Sequence, residues 1–292
     1  MTESNSRNAY LLTPLFYVLF IVFGGSVVGY LLSLGLDYSY EKLLSRSVLL
    51  LAAIGLLPLW RIYGLSAQSI GLSDWRSTPS LSVRCYTVAI LAALPPMLFF
   101  NVIGFRVWDD RVVVLSAVFL FQCLIIFCSA WLVSIFEETL FRGVMFTSLR
   151  KHFKFFGAAS ITSVVYAMVH FLVSGELTYA DPHWWTGLWV LRDAVGALLS
   201  AGGDWDSFLA LALLGGIFCW LRETLGLWAA ISMHSAFVFA LRVYKDLTIR
   251  DIVHPYRDLV GDYDNFVGVL VAFWLLFGIV VIRLALRARP DK

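Results

Sequence analysis

Residues 112–143 read VVVLSAVFLFQCLIIFCSAWLVSIFEETLFRG. No charge interrupts the stretch from Val112 to Phe136. Two acids then arrive together, at Glu137 and Glu138, with Arg142 close behind. A charge-free run of this length exceeds the roughly 20 residues an α-helix needs to cross a bilayer. No turn residue intervenes before Gly143, so the spacing predicts a helix that carries on through the acids. The chain therefore places ionisable groups where a membrane makes them expensive, and such groups are functional candidates by default.

The same pattern recurs on both sides of this stretch. Charge-free apolar intervals lie at Asn8–Leu36, Ser47–Trp60, Cys85–Phe105, Phe155–Gly175, Ser207–Leu221, Thr224–Leu241 and Asn265–Ile282. Together with Val112–Phe136 they predict an all-α polytopic membrane bundle of about eight transmembrane helices around a polar intramembrane cavity. The interval from Asn8 is too long for the apolar region of a secretory signal peptide and reads as a retained span. Ser47–Trp60 and Ser207–Leu221 are short, but Arg61 and Arg222 can snorkel to the interface. The narrowest separation falls at Arg222–Glu223, where two spans must be joined by a tight turn.

Composition agrees. Of 292 residues, 60% are hydrophobic and only 14% charged, with a mean hydropathy of +0.81. A soluble chain of this size needs far more charge to cover its surface. The 11 Trp, 12 Tyr and 23 Phe gather near the ends of apolar runs, as interfacial aromatic belts do. A net charge of +2 gives nucleic acid no basic footprint. No CxxC occurs, and Cys85, Cys123, Cys128 and Cys219 read as small buried hydrophobes. No second domain is visible, so residues 1–292 form a single integral membrane domain.

Eight spans put both termini on one side. That side collects somewhat more Lys and Arg, among them Arg61, Arg76, Arg84, Arg150, Lys151 and Lys154. The positive-inside rule then places both termini in the cytoplasm of what is expected to be a prokaryotic cell membrane. Three connectors are long. Segment 176–206, with Trp184, Trp185, Trp189, Gly202 and Gly203, suits an interfacial or re-entrant helix. Segment 242–264 reads as a solvated connector. Segment 62–83, with Ile70, Leu72 and Trp75, is expected to lie along the interface.

Helix geometry separates the two glutamates. Glu138 and Arg142 are four apart in the acid-first order that favours an ion pair. Glu137 is rotated by about 100° from Glu138 and has no basic residue four positions away. Glu138 is thus the structural partner of Arg142, and Glu137 is the carboxylate left over for taking a proton from water and giving it back. A helix-end charge cluster is the alternative reading of the same spacing. Two histidines sit in comparable apolar settings, His170 in the fifth span and His234 in the seventh, whereas His152, His183 and His254 fall in connectors. A lone histidine in an apolar helix is more often a packing residue; two of them with an unpaired glutamate, on three different spans, form a candidate site.

These residues resemble the CPBP family, the intramembrane glutamic endopeptidases that include the CAAX prenyl endopeptidases and the ABI bacteriocin-immunity proteins. The likeness rests on Glu137-Glu138-x-x-x-Arg142, on an aromatic-x-x-x-His ending at His170, and on His234 in a later span. The flanking Glu-Thr-Leu-Phe-Arg-Gly at 138–143 and the Gly215-to-Trp228 stretch match as well. The resemblance covers a core of residues 110–245. It implies that Glu137 is the general base that activates water with the help of His170, that Glu138 and Arg142 brace the helix, and that His234 stabilises the oxyanion. It implies a membrane-associated peptide or protein substrate, no cofactor and no metal. Two positions depart from the family pattern. Tyr166 stands where Phe is usual, four before His170. Val238 stands where Asn is usual, four after His234, and a valine side chain donates no hydrogen bond. Both positions are expected to line the cavity.

Two other function classes fit the same polar residues. One is an intramembrane zinc metalloprotease with Glu137, His170 and His234 as ligands, although HExxH is missing. The other is a non-catalytic binding or transport protein that uses the cavity, although no internal repeat is visible.

Overall fold

A computed structural model describes residues 3–76, 78–171, 181–199, 205–251, 253–261 and 264–287. Ten α-helices run α1 (Glu3–Ser33), α2 (Tyr40–Ile62), α3 (Pro79–Val102), α4 (Ala117–Glu138), α5 (Thr147–Arg150), α6 (Phe155–Phe171), α7 (Thr186–Leu199), α8 (Trp205–Thr224), α9 (Leu227–Leu247) and α10 (Val269–Arg287). A π-helical stretch, Thr139–Phe146, joins α4 to α5. Among the described residues, six helices are long and apolar enough to cross a membrane, and α6 and α10 supply two shorter apolar segments. These eight correspond to the eight intervals read from the sequence. The chain is an all-α polytopic bundle and an integral, multi-pass membrane protein.

The outer faces follow from the surrounding solvent. Leu91, Leu98, Phe121, Leu132 and Phe273 all stand exposed on the bundle surface. In water such a surface would drive aggregation, whereas in lipid it is the expected one. Cys128 belongs to this outer face and Cys123 is half-buried, so only Cys85 and Cys219 are the buried small residues expected from the sequence.

The two ends of the bundle are organised differently. At one end the α2–α3 connector, the α5–α6 turn and the α8–α9 turn interlock. Lys151 Nζ donates to the Tyr63 carbonyl at 3.0 Å, and Arg222 Nη2 donates to the Ser69 carbonyl at 2.9 Å. Arg150 pairs with Glu223 at 2.8 Å. The tight turn expected between the sixth and seventh spans is present: α8 ends at Thr224 and α9 begins at Leu227. Gly226 between them has φ +96°, a conformation that side chains disfavour.

The α2–α3 connector does more than lie along an interface. Gly71, at φ +84°, turns the chain so that Ile70 is driven into the bundle beside Gly143. Ile70 is fully buried, while Trp75, in the short 3-10 turn Ser73–Arg76, stays exposed. A period-based reading of the sequence misses this, because one inserted apolar residue leaves no periodicity.

At the opposite end, β1 (Arg106–Trp108) pairs antiparallel with β2 (Thr248–Arg250). Segment 242–264 is therefore only partly a solvated connector. Its strand closes over Arg106, which is buried and donates through Nε to Thr248 Oγ1 at 2.8 Å and through Nη2 to the Thr248 carbonyl at 3.2 Å. Segment 176–206 contains α7, which is tied to α1 through a hydrogen bond from the Gly187 amide to Ser26 Oγ at 2.7 Å. A Cβ at Gly187 would meet Ser26 Cβ at 2.6 Å, so only glycine allows this approach. Trp184, Trp185 and Trp189 form an aromatic cluster at the start of α7. Gly202 and Gly203, expected in the same loop, lie outside the described residues.

Candidate active site

The helix does continue through the acids, but not with α geometry. From Thr139 its hydrogen bonds widen to the π pattern for eight residues, all of them buried. Short π segments within α-helices frequently mark functional sites. Here the widened turn sits directly after Glu138.

The glutamates separate as the spacing predicts. Glu138 and Arg142 form an ion pair at 3.0 Å with both side chains fully buried. Arg142 also donates through Nη2 to the Gly215 carbonyl at 3.2 Å. Its guanidinium carbon lies 4.3 Å from the Tyr166 ring centroid and 5.0 Å from that of Phe218. A buried cation persists only when it is paired and hydrogen-bonded, and α4, α6 and α8 each contribute to that requirement.

Glu138 has a second contact that helix spacing cannot reveal. Its Oε1 accepts from Arg142 and also lies 2.8 Å from His234 Nδ1. His234 is on α9 and packs face to face against Phe218 at 5.1 Å between centroids. The ring is thereby fixed with Nε2 pointing away from Glu138 and towards Glu137, whose Oε2 is 3.9 Å distant.

His170, on α6, approaches Glu137 from another side. Its Nε2 is 3.7 Å from Glu137 Oε2. Its Nδ1 lies 2.8 Å from the Tyr166 backbone carbonyl, one helical turn earlier. A carbonyl oxygen only accepts, so Nδ1 carries the hydrogen and a neutral His170 presents an acceptor at Nε2. The Tyr166 ring lies 4.3 Å from that of His170 and 6.3 Å from that of His234. Glu137 Oε2 is buried and makes no hydrogen bond with protein.

The structure thus brings Glu137, His170 and His234 together from α4, α6 and α9. They sit on a cavity of about 800 Å³ whose other lining residues are largely apolar, including Leu213, Ile217, Phe237 and Trp274. Tyr166 and Val238 both line this cavity. Val238 follows His234 by one helical turn and so shares its face. Among the described residues, no group of three or more His, Cys, Asp or Glu is arranged to hold a metal ion. Phe218 and the Gly215 carbonyl are site components that sequence reasoning did not assign. Their only sequence signal is their place in the motif-like stretch before His234.

A lipid-facing bundle with acidic and imidazole groups buried at an internal cavity defines a membrane protein built for polar chemistry inside the bilayer. Residues 118–240 match the family described as type II CAAX prenyl endopeptidase Rce1-like. The matched stretch carries every candidate site residue named above. No curated protein and no solved structure matches the chain. The matched family is one of endopeptidases, so the stretch that carries the site is similar to that of peptide hydrolases.

Proposed function

We propose that the protein hydrolyses its peptide bond with a water activated by Glu137 and His170, and that His234 stabilises the oxyanion. The observation that carries this reading is the position of Glu137 Oε2: buried, without a protein hydrogen bond, and faced by the Nε2 atoms of two imidazoles. Glu137 Oε2 and His170 Nε2 are two acceptors facing one point, which suits a water molecule with its two O–H groups. As water attacks the scissile carbonyl carbon, its proton passes to the Glu137 carboxylate. The negative charge that develops on the carbonyl oxygen is met by a hydrogen bond from His234. No acyl-enzyme is needed.

Glu138 serves the site differently: its Oε1 is held by Arg142 and His234, which makes it a structural acceptor, whereas the Nε2 atoms of both imidazoles face Glu137. The largely apolar cavity walls suit a substrate whose cleaved segment reaches the bilayer, since apolar surface leaves lipid for such a cavity without penalty. The test is a purified Glu137→Gln variant assayed on a prenylated peptide ending in a C-a-a-X sequence. Glutamine keeps size and hydrogen-bonding capacity but is no base. Folded protein with cleavage abolished is the expected result; cleavage at near wild-type rate overturns the assignment.

A further inference from the structure

We propose that Glu138, beyond pairing with Arg142, is a positioning residue that fixes the tautomer of His234 and makes this imidazole the proton carrier of the site. The proposal rests on the reading of Glu137 as the base.

The argument starts from one oxygen. Glu138 Oε1 accepts from Arg142 Nη1 at 3.0 Å and lies 2.8 Å from His234 Nδ1. The carboxylate facing the always-charged guanidinium acts as an acceptor, so His234 Nδ1 carries the hydrogen. A neutral ring with its hydrogen on Nδ1 has only a lone pair at Nε2. In that form His234 cannot donate to an oxyanion. It does so only as imidazolium, with hydrogens on both nitrogens.

The two imidazoles of the site differ in what holds Nδ1. His170 is held by a neutral backbone carbonyl, that of Tyr166. His234 is held by a carboxylate, which both orients the ring and balances the charge of an imidazolium, as the aspartate of a serine protease does for its histidine. The other titratable or charged groups around the pair are Glu137 and Arg142 from the α4 helix and its π continuation, His170 and Tyr166 from α6, and Cys219 from α8. Among the described residues, it is Glu138 that lies at hydrogen-bond distance from His234 Nδ1.

The proton path then closes. Water attacks the carbonyl carbon and gives one hydrogen to Glu137 Oε2. That oxygen lies 3.9 Å from His234 Nε2, and transfer to the ring, once the two atoms close to hydrogen-bond distance or through one bridging water, generates the imidazolium beside the oxyanion. When the C–N bond breaks, its electron pair goes to nitrogen, and Nε2 returns the proton to that nitrogen. The products are a carboxylic acid and an amine, Glu137 is again a carboxylate, and His234 is again neutral with its hydrogen on Nδ1. The second hydrogen of the water stays on the new carboxyl group.

The test reads the ring directly. Full-length protein labelled with 15N-histidine is examined by NMR in detergent micelles, with His234→Gln used to assign the signal. A neutral His234 carrying its hydrogen on Nδ1 is the expected result, and a neutral ring with the hydrogen on Nε2 overturns the proposal. This measurement needs no substitution at Glu138 and no cleavage, so it stands whether or not Glu137 proves to be the base. In Glu138→Gln the amide can accept or donate, so the Nε2–H form should appear, and kcat on the prenylated peptide should fall at least tenfold with KM changed less than twofold. Glu138→Asp, which keeps the carboxylate, should recover part of that kcat. A folded Glu138→Gln variant with wild-type kcat also overturns the proposal.

Discussion

Arg142 lies over the face of Tyr166, its guanidinium carbon 4.3 Å from the ring centroid, and both side chains are buried. The cation is held by a carboxylate on one side, a backbone carbonyl on another and aromatic faces above. Removing one member of a buried ion pair typically costs about 3–5 kcal/mol because the remaining charge stays buried and unpaired. Arg142→Met should therefore destabilise the protein by about that amount in denaturant titrations in detergent. Arg150→Ala removes a half-exposed partner of Glu223 and should change stability by less than about 1 kcal/mol. Equal effects from the two substitutions would show that the Arg142 cluster is not the anchor described here.

The same ring gives a second expectation. Tyr166→Phe keeps the stack on Arg142 and the edge contact with Phe141, so stability should be little changed. Val238 places a group without donors on the cavity wall one turn after His234. The site then needs its second oxyanion donor from elsewhere, and the Tyr166 hydroxyl is the candidate. Losing such a donor typically lowers turnover about 10²-fold or more. Tyr166→Phe should lower kcat on that order with KM little affected, and Val238→Asn should be neutral or modestly activating. Unchanged turnover in Tyr166→Phe removes the tyrosine from this role and leaves Glu137 and His170 in theirs.

His170→Ala should lose cleavage, and added zinc should not restore it. His170 and His234 converge on Glu137 at 3.7 and 3.9 Å, so a metal-dependent reading must be met by experiment. Wild-type protein should keep its activity through chelation. Stoichiometric zinc, with activity lost to a chelator and regained on zinc addition, would replace the glutamate mechanism by a metal one.

Topology yields a fourth expectation. An eight-crossing reading puts both termini on one side, and the positive-inside rule applied to the Lys and Arg distribution then predicts the cytoplasm for that side. Reporter fusions after residue 292 should report the cytoplasm, and fusions near residue 203 should report the far side. The same compartment from both sites would refute the eight-crossing arrangement.

Much of this molecule was legible before any coordinates. Charge-free length alone locates the apolar helices, and the four-residue spacing of Glu138 and Arg142 gives their ion pair. Their apolar settings single out His170 and His234, and the resemblance implies their roles. Other relations had no local signal. The contact of Glu138 with His234 joins residues 96 apart in sequence, and no periodicity on α4 or α9 encodes it. The helix at Ser47–Trp60 was read too short because Lys42 and Arg46, inside its first turns, were taken to end the apolar run. The pairing of β1 with β2 was missed because each strand is only three residues long. Ile70 was placed at an interface because the turn at Gly71 that buries it depends on a backbone angle rather than on composition.

The π-helical stretch at Thr139–Phe146 has a consequence for how this segment tolerates change. Each widened turn delays the rotation of the residues that follow, so the faces before Glu138 and after Phe146 are out of phase. A helical wheel drawn straight through residues 117–150 assigns the far half to the wrong side. Gain of a further residue inside the stretch, which the already widened turns cannot absorb, would rotate Ser148 and Leu149, both buried now, away from the core they fill. The phase slip therefore makes this short span sensitive to insertions even where every individual side chain in it is a tolerable apolar residue.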